Sequence, residues 1–295
     1  MDHATLQKKI NKKLKKLIYR IGALISIASI FFSFRFVYQY RSEINFFNIL
    51  RENVITIISI VSVTITINFL LALAWRQILL GNGEKILPKE AISIYGLSQL
   101  AKYVPGNFFQ FLSRQGIGMA SGVNSKALAI SSLIEVALLA ISGVTFFLVF
   151  LIAKQTSLIV AFLIFIAILI FIATAIKLNY NKHISGAFIF YTLFLVCSSV
   201  VFIFTYHTVY KGTNLGVKQY LQGAIGYILS WFLGFITPGA PAGIGIRELT
   251  LAKTLGPSMS EGTIIALTTI SRLISVLSDI FYFLISFWIR RNKKK

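Results

Sequence analysis

Acidic charge is scarce in this sequence: 29 Lys and Arg stand against 9 Asp and Glu, with 3 His, 5 Pro and 1 Cys. The lone Cys197 excludes an intramolecular disulfide and a thiolate metal centre. His3, His183 and His207 are scattered with no ligand spacing, so neither a metal nor a cofactor is expected. No GxSxG, Walker loop or HExxH pattern occurs, which leaves soluble-type enzymatic chemistry without a visible site. With so few carboxylates in the chain, any that lies inside an apolar run stands out.

What the sequence does have is apolar length. Of 295 residues, 56% are hydrophobic and 13% charged, and several apolar runs are long enough to cross the hydrocarbon core of a bilayer. A transmembrane barrel would show short alternating segments instead, so the chain reads as an all-α, polytopic membrane protein. Six spans are predicted, roughly Leu17 to Phe34, Val54 to Leu80, Ala127 to Ile152, Ser157 to Ile176, Ser185 to Tyr206 and Gly262 to Ile289. Two further stretches, about 91 to 120 and 218 to 256, are apolar but broken. The basic opening, "QKKINKKLKKLIYR", lacks a small-residue cleavage site after it and is expected to precede a retained first span.

The net charge of +20 invites a nucleic-acid partner, but no reader motif accompanies it. Lys and Arg instead gather where the positive-inside rule places them, at both ends and in alternate loops. This predicts an inner (cytoplasmic) membrane protein with a basic cytoplasmic N-terminus over residues 1–16 and a basic cytoplasmic tail over 290–295, each also suited to anionic headgroups.

An offset of 133 residues superposes Pro105 on Pro238, Gly106 on Gly239 and Arg114 on Arg247. It also carries the second, third and first spans onto the fifth, sixth and fourth. The membrane part therefore divides into two repeats, 17–152 and 153–289, each reading span, span, broken stretch, span. If each broken stretch is a re-entrant helical hairpin, three crossings per repeat make the second the inverse of the first. Pro-Gly suits a hairpin tip because proline ends a helix and glycine admits a sharp reversal. Exposed backbone is costly in lipid, so the tips, Pro105 and Gly106 in one and Pro238, Gly239, Gly243 and Gly245 in the other, are expected to be buried or to line a cavity.

Ionisable residues inside the spans point the same way. Glu135 shares a helical face with Ser131, Ser132 and Ser142, and the last span carries Thr268, Arg272, Ser275 and Asp279 on another. Arg114, Arg247 and Arg272 are expected to converge as a clamp on phosphate oxygens, which the planar guanidinium matches bidentately, with Glu135 and Asp279 balancing the empty site. The alternative is static pairing, Arg272 with Asp279 and Glu135 with a hairpin arginine. Arg76 and Lys102 are placed at the interface.

"LAKYVPGNFFQFLSR" (100–114) and "FITPGAPAGIGIREL" (235–249), with their flanking spans, resemble the flippase-like family that includes the membrane region of lysylphosphatidylglycerol synthases. The resemblance implies roles for Pro105, Gly106 and Arg114 in a first motif and for Pro238, Gly239, Gly243, Gly245, Arg247 and Glu248 in a second. It further implies a non-enzymatic protein that translocates an anionic phospholipid or a polyprenyl-phosphate-linked glycan lipid between leaflets. The expected partners are phosphate-bearing membrane lipids, cell-envelope biosynthesis enzymes and a second copy of the chain. A secondary transporter of a soluble anion, and a membrane-embedded glycosyl or phosphoryl transferase, remain open alternatives.

Overall fold

The computed structural model describes residues 46–103, 108–209, 216–237, 243, 245–256, 259 and 261–292. All regular structure among them is helical. A short α1 (Phe46–Glu52) leads into α2 (Val54–Gly81), and α3 (Pro88–Gln99) runs into a 3-10 turn over Leu100–Tyr103. Then come α4 (Phe109–Met119), α5 (Ser125–Gln155), α6 (Leu158–Asn179) and α7 (Lys182–Val209). The chain ends through α8 (Val217–Ile236), α9 (Ile246–Leu255) and α10 (Glu261–Asn292).

Five of these helices, α2, α5, α6, α7 and α10, are long and apolar enough to cross a membrane. They coincide with five of the six predicted spans, and the chain is a multi-pass α-helical membrane protein. The first predicted span, Leu17 to Phe34, lies outside the described residues, as do Pro105, Gly106, Pro238 and Gly239.

Local chemistry sets where the helices begin. Asn124 caps α5, its side-chain oxygen accepting from the amides of Lys126 (2.8 Å) and Ala127 (3.4 Å), and Ser157 caps α6 through the amide of Val160. Asn181 does the same for α7, accepting from His183 and Ile184, while its amide nitrogen donates to the Gly81 carbonyl at the end of α2. Each contact satisfies backbone groups that a helix end leaves open. Pro88, at the first position of α3, needs no such partner because it has no N–H to satisfy.

Helices α2 and α7 form the most extensive pair, and they run antiparallel: the end of α2 meets the start of α7 at Asn181, while Ile57 and Val61 pack with Val209 at the far end. The break after α2 is followed by α3, which lies along α10; α8 in turn lies along α5. Apolar side chains gain nothing from leaving lipid, so helix association in a membrane relies on close approach of small residues and on polar contacts. Gly96 shows this at the α3–α10 seam, where an added Cβ would lie 1.9 Å from Ser286 Oγ. At the α5–α8 seam, Gly143 would clash at 2.6 Å with the ring of Phe232. By contrast α6 turns most of its surface outward, with Phe171 73% exposed, as a lipid-facing helix does.

The two broken stretches differ in proportion. The first enters on 12 residues of α3 plus the 3-10 turn, the second on 20 residues of α8, about 30 Å of helix. Both come to the middle of α10. Tyr103, next to residues 104–107, hydrogen-bonds Asp279, and the carbonyl of Gly243, next to residues 238–242, accepts from Arg272. Those two α10 positions lie two turns apart, about 10 Å along the helix.

Candidate functional site

Three polar centres stand out among the described residues of the helical bundle. The first surrounds Arg114, on α4, which ion-pairs with Glu135 on α5, and both side chains are 2% exposed. Glu135 also accepts from the Tyr95 hydroxyl at 2.8 Å, and Arg114 Nε donates to Ser98 Oγ at 3.3 Å. The guanidinium lies 3.7 Å from the centre of the Tyr95 ring, with Trp75 and Phe111 at 5.5 and 5.6 Å. Trp75 is held in turn by its indole N–H donating to Ser131 Oγ. Arginine over aromatic faces, with a carboxylate alongside, is a compact charge-balanced arrangement. Two polar atoms inside it, Arg114 Nη2 and the Tyr191 hydroxyl, have no hydrogen-bond partner among the described residues.

The second centre surrounds Arg247 on α9. Here glycine is required: Gly243 has φ +74° and sits so close to α8 that an added Cβ would meet Gly234 Cα at 2.7 Å. Gly245, at φ +86°, is the N-cap of α9, and its amide donates to Glu248 Oε2 at 2.7 Å. The other Glu248 oxygen pairs with Arg272 on α10, and Arg272 Nη2 donates to the Gly243 carbonyl at 3.2 Å. Glu248 thus caps α9 and neutralises Arg272 at once. Arg247 is left over. Among the described residues its Nε is buried without a hydrogen-bond partner, and its guanidinium lies 5.7 Å from the centre of the Trp231 ring. A small cavity opens beside it, lined by Tyr227, Ser230, Thr268, Ser271 and Ser275 together with Glu248 and Arg272.

The third centre is Asp279, which is 2% exposed and receives three donors: Lys102 Nζ at 2.7 Å, the Tyr103 hydroxyl at 2.5 Å and Asn68 Nδ2 at 3.4 Å. It ties the end of the first broken stretch to α10 and α2.

The structure thus separates the expected three-arginine clamp. Arg247 and Arg272 share a cavity, whereas Arg114 sits in its own ion pair on the far side of an aromatic row. That row runs from Phe111, beside Arg114, through Phe235 (centroids 6.5 Å apart) to Trp231 (5.3 Å further, stacked), which faces Arg247. Of the two static pairs considered from sequence, Glu135 with a hairpin arginine is present. Arg272 pairs with Glu248 and not with Asp279, whose partner is Lys102, a residue placed from sequence at the interface. Arg76 binds the Ile86 carbonyl at the α2–α3 connection.

The residues that sequence reasoning passed over, Trp75, Tyr95, Phe111, Trp231 and Tyr103, are aromatic. In a chain with 26 Phe and 12 Tyr, aromatic residues carry no positional signal of their own. Among the described residues, no group of three or more His, Cys, Asp and Glu is arranged to hold a metal ion.

Fold and centres together define a multi-pass helical membrane protein with one buried arginine centre closed by Glu135 and a second arginine centre beside its last helix. Comparison with models of protein families, with curated proteins and with solved structures finds no match to this chain.

Proposed function

We propose that the chain is a flippase-like lipid transporter, carrying the anionic headgroup of a phospholipid or polyprenyl-phosphate-linked glycan lipid between leaflets. One observation carries this reading: Arg247, whose buried Nε has no hydrogen-bond partner among the described residues, lines a small cavity inside the bundle together with several hydroxyls. Burying a cationic donor with no partner is expensive, and such groups inside a membrane protein typically serve a substrate or ion path. Arginine offers a fork matched to phosphate oxygens, and the N-terminus of α9 adds its positive end beside it.

The architecture supports the same proposal. On the 133-residue offset α2 corresponds to α7, α3 to α8, α4 to α9 and α5 to α10. The packing follows that correspondence: the related helices α2 and α7 pair antiparallel at the centre, while α3 lies on α10 and α8 on α5. Antiparallel pairing of related helices is what an inverted repeat requires. The approach of both broken stretches to mid-α10 fits two re-entrant hairpins, six spans in all, and a headgroup site near the midplane. The resemblance to the flippase-like family rests on the same motifs.

The test is transport in vesicles. Reconstituted protein should speed exchange of a fluorescent phosphatidylglycerol between leaflets, read by dithionite quenching, by about tenfold or more over protein-free vesicles. Arg247→Gln should return it to the background rate, a loss consistent with removing a charged hydrogen-bond partner. Equal rates for the parent and the variant would overturn the reading.

A further inference from the structure

The lining of the Arg247 cavity narrows the cargo. The inference rests on that cavity being the headgroup site. A second small cavity continues from it between α2, α7, α8 and α10, sharing Tyr227, Ser271 and Ser275 and reaching Thr64 and Thr205. The path leading away from Arg247 is therefore walled by hydroxyls on one part and by Ile67, Val201, Phe202 and Ile274 on the rest, and its lining residues carry no further charge.

The state of those hydroxyls matters. Thr64, Thr205, Thr268, Ser271 and Ser275 each donate to a carbonyl of their own helix three or four residues back. With its proton committed, a hydroxyl faces the cavity with oxygen lone pairs. The row accepts hydrogen bonds, and what fits it is a donor. Neutral O–H groups qualify; an ammonium does not, for two reasons. Arg247 and Arg272 would repel it, and Glu135, Glu248 and Asp279 are each already paired with a cation of the chain. Like charges placed together inside an interface oppose binding strongly. The local balance is also explicit: Glu248 offsets Arg272, which leaves Arg247 to meet one negative charge.

We infer that the site takes a polyol phosphate, an anionic phosphate bearing an uncharged sugar or glycerol group, and rejects headgroups that carry an amine. The phosphate binds at Arg247, and the polyol extends along Ser271 and Ser275 toward Thr64.

The experiment compares lipids of identical acyl chains binding to the purified full-length protein, measured by displacement of a fluorescent phosphatidylglycerol. Phosphatidylinositol and phosphatidylglycerol should displace it at concentrations about tenfold or more below those needed for phosphatidylethanolamine or a lysyl ester of phosphatidylglycerol. Ser271→Ala combined with Ser275→Ala should cut the preference for phosphatidylinositol over phosphatidic acid by about tenfold. This second variant keeps the test meaningful even if Arg247→Gln fails to fold. Amine-bearing lipids that bind as well as the polyol lipids, with Arg247 still required, would overturn the polyol assignment and leave the transport reading standing. Binding that is indifferent to Arg247 would overturn both. Tail-less glycerophosphoinositol competing as well as the lipid would uphold the polyol phosphate and move its source from lipid to solution.

Discussion

Arg114 and Arg247 hold equivalent places in the sequence, each nine residues after the proline of a Pro-Gly pair, yet they live in opposite circumstances. Among the described residues, Arg114 has a carboxylate, Glu135, and a stack of aromatic faces, with its Nη2 left unpartnered; Arg247 has the Trp231 ring, an unpartnered Nε and a cavity. The offset that relates the two arginines places Thr268 where Glu135 stands. Where the first centre has the Glu135 carboxylate, the second has a hydroxyl, and on the proposed reading this is what leaves Arg247 able to receive a ligand. A buried ion pair contributes little net stability but is destructive to break, so the first centre fixes the packing of α3, α4 and α5. The second, on the proposed reading, keeps its charge for a ligand.

The largest effect should come from breaking the closed centre. Glu135→Ala leaves Arg114 buried and uncompensated, and thermal unfolding in detergent should show a loss of about 3–5 kcal/mol. Next is a swap that erases the difference. Thr268→Glu supplies Arg247 with the counter-charge that Arg114 enjoys, and phosphatidylglycerol binding should fall about 100-fold, near 2.7 kcal/mol, with no loss of folding. A smaller effect is expected at the third centre, where Lys102→Met removes the cation from buried Asp279. Because Lys102 is partly exposed and Tyr103 and Asn68 remain, the destabilisation should be about 1–2 kcal/mol, read in the same unfolding assay. Smallest is Glu248→Gln. Its pair with Arg272 is 21% exposed on both sides, and glutamine can still cap Gly245, so about 1 kcal/mol or less should be lost. Freed of its carboxylate, Arg272 should at the same time raise anion affinity.

The contrast between the two arginines also marks what the sequence makes legible. Span positions follow from apolar run length alone, and five predicted spans coincide with helices. The placement of Glu135 on a serine-bearing face followed from helical periodicity, and Ser131 and Ser142 are indeed buried with it. Periodicity tells which face a residue occupies but not which neighbour it meets. Glu248 and Arg272 are 24 residues apart on different helices, and Lys102 and Asp279 are 177 apart. Their pairing is a product of how the broken stretches approach α10, which no local pattern encodes. The separation of Arg114 from Arg247 by Phe111, Phe235 and Trp231 was hidden for the same reason.

The most direct test of the account is the lipid that co-purifies with the intact protein in mild detergent, identified by mass spectrometry for the parent and for Thr268→Glu. An anionic lipid enriched on the parent and absent from a well-folded Thr268→Glu variant is the predicted result. The same lipid retained by both proteins would contradict the claim that the uncompensated Arg247 is the binding centre.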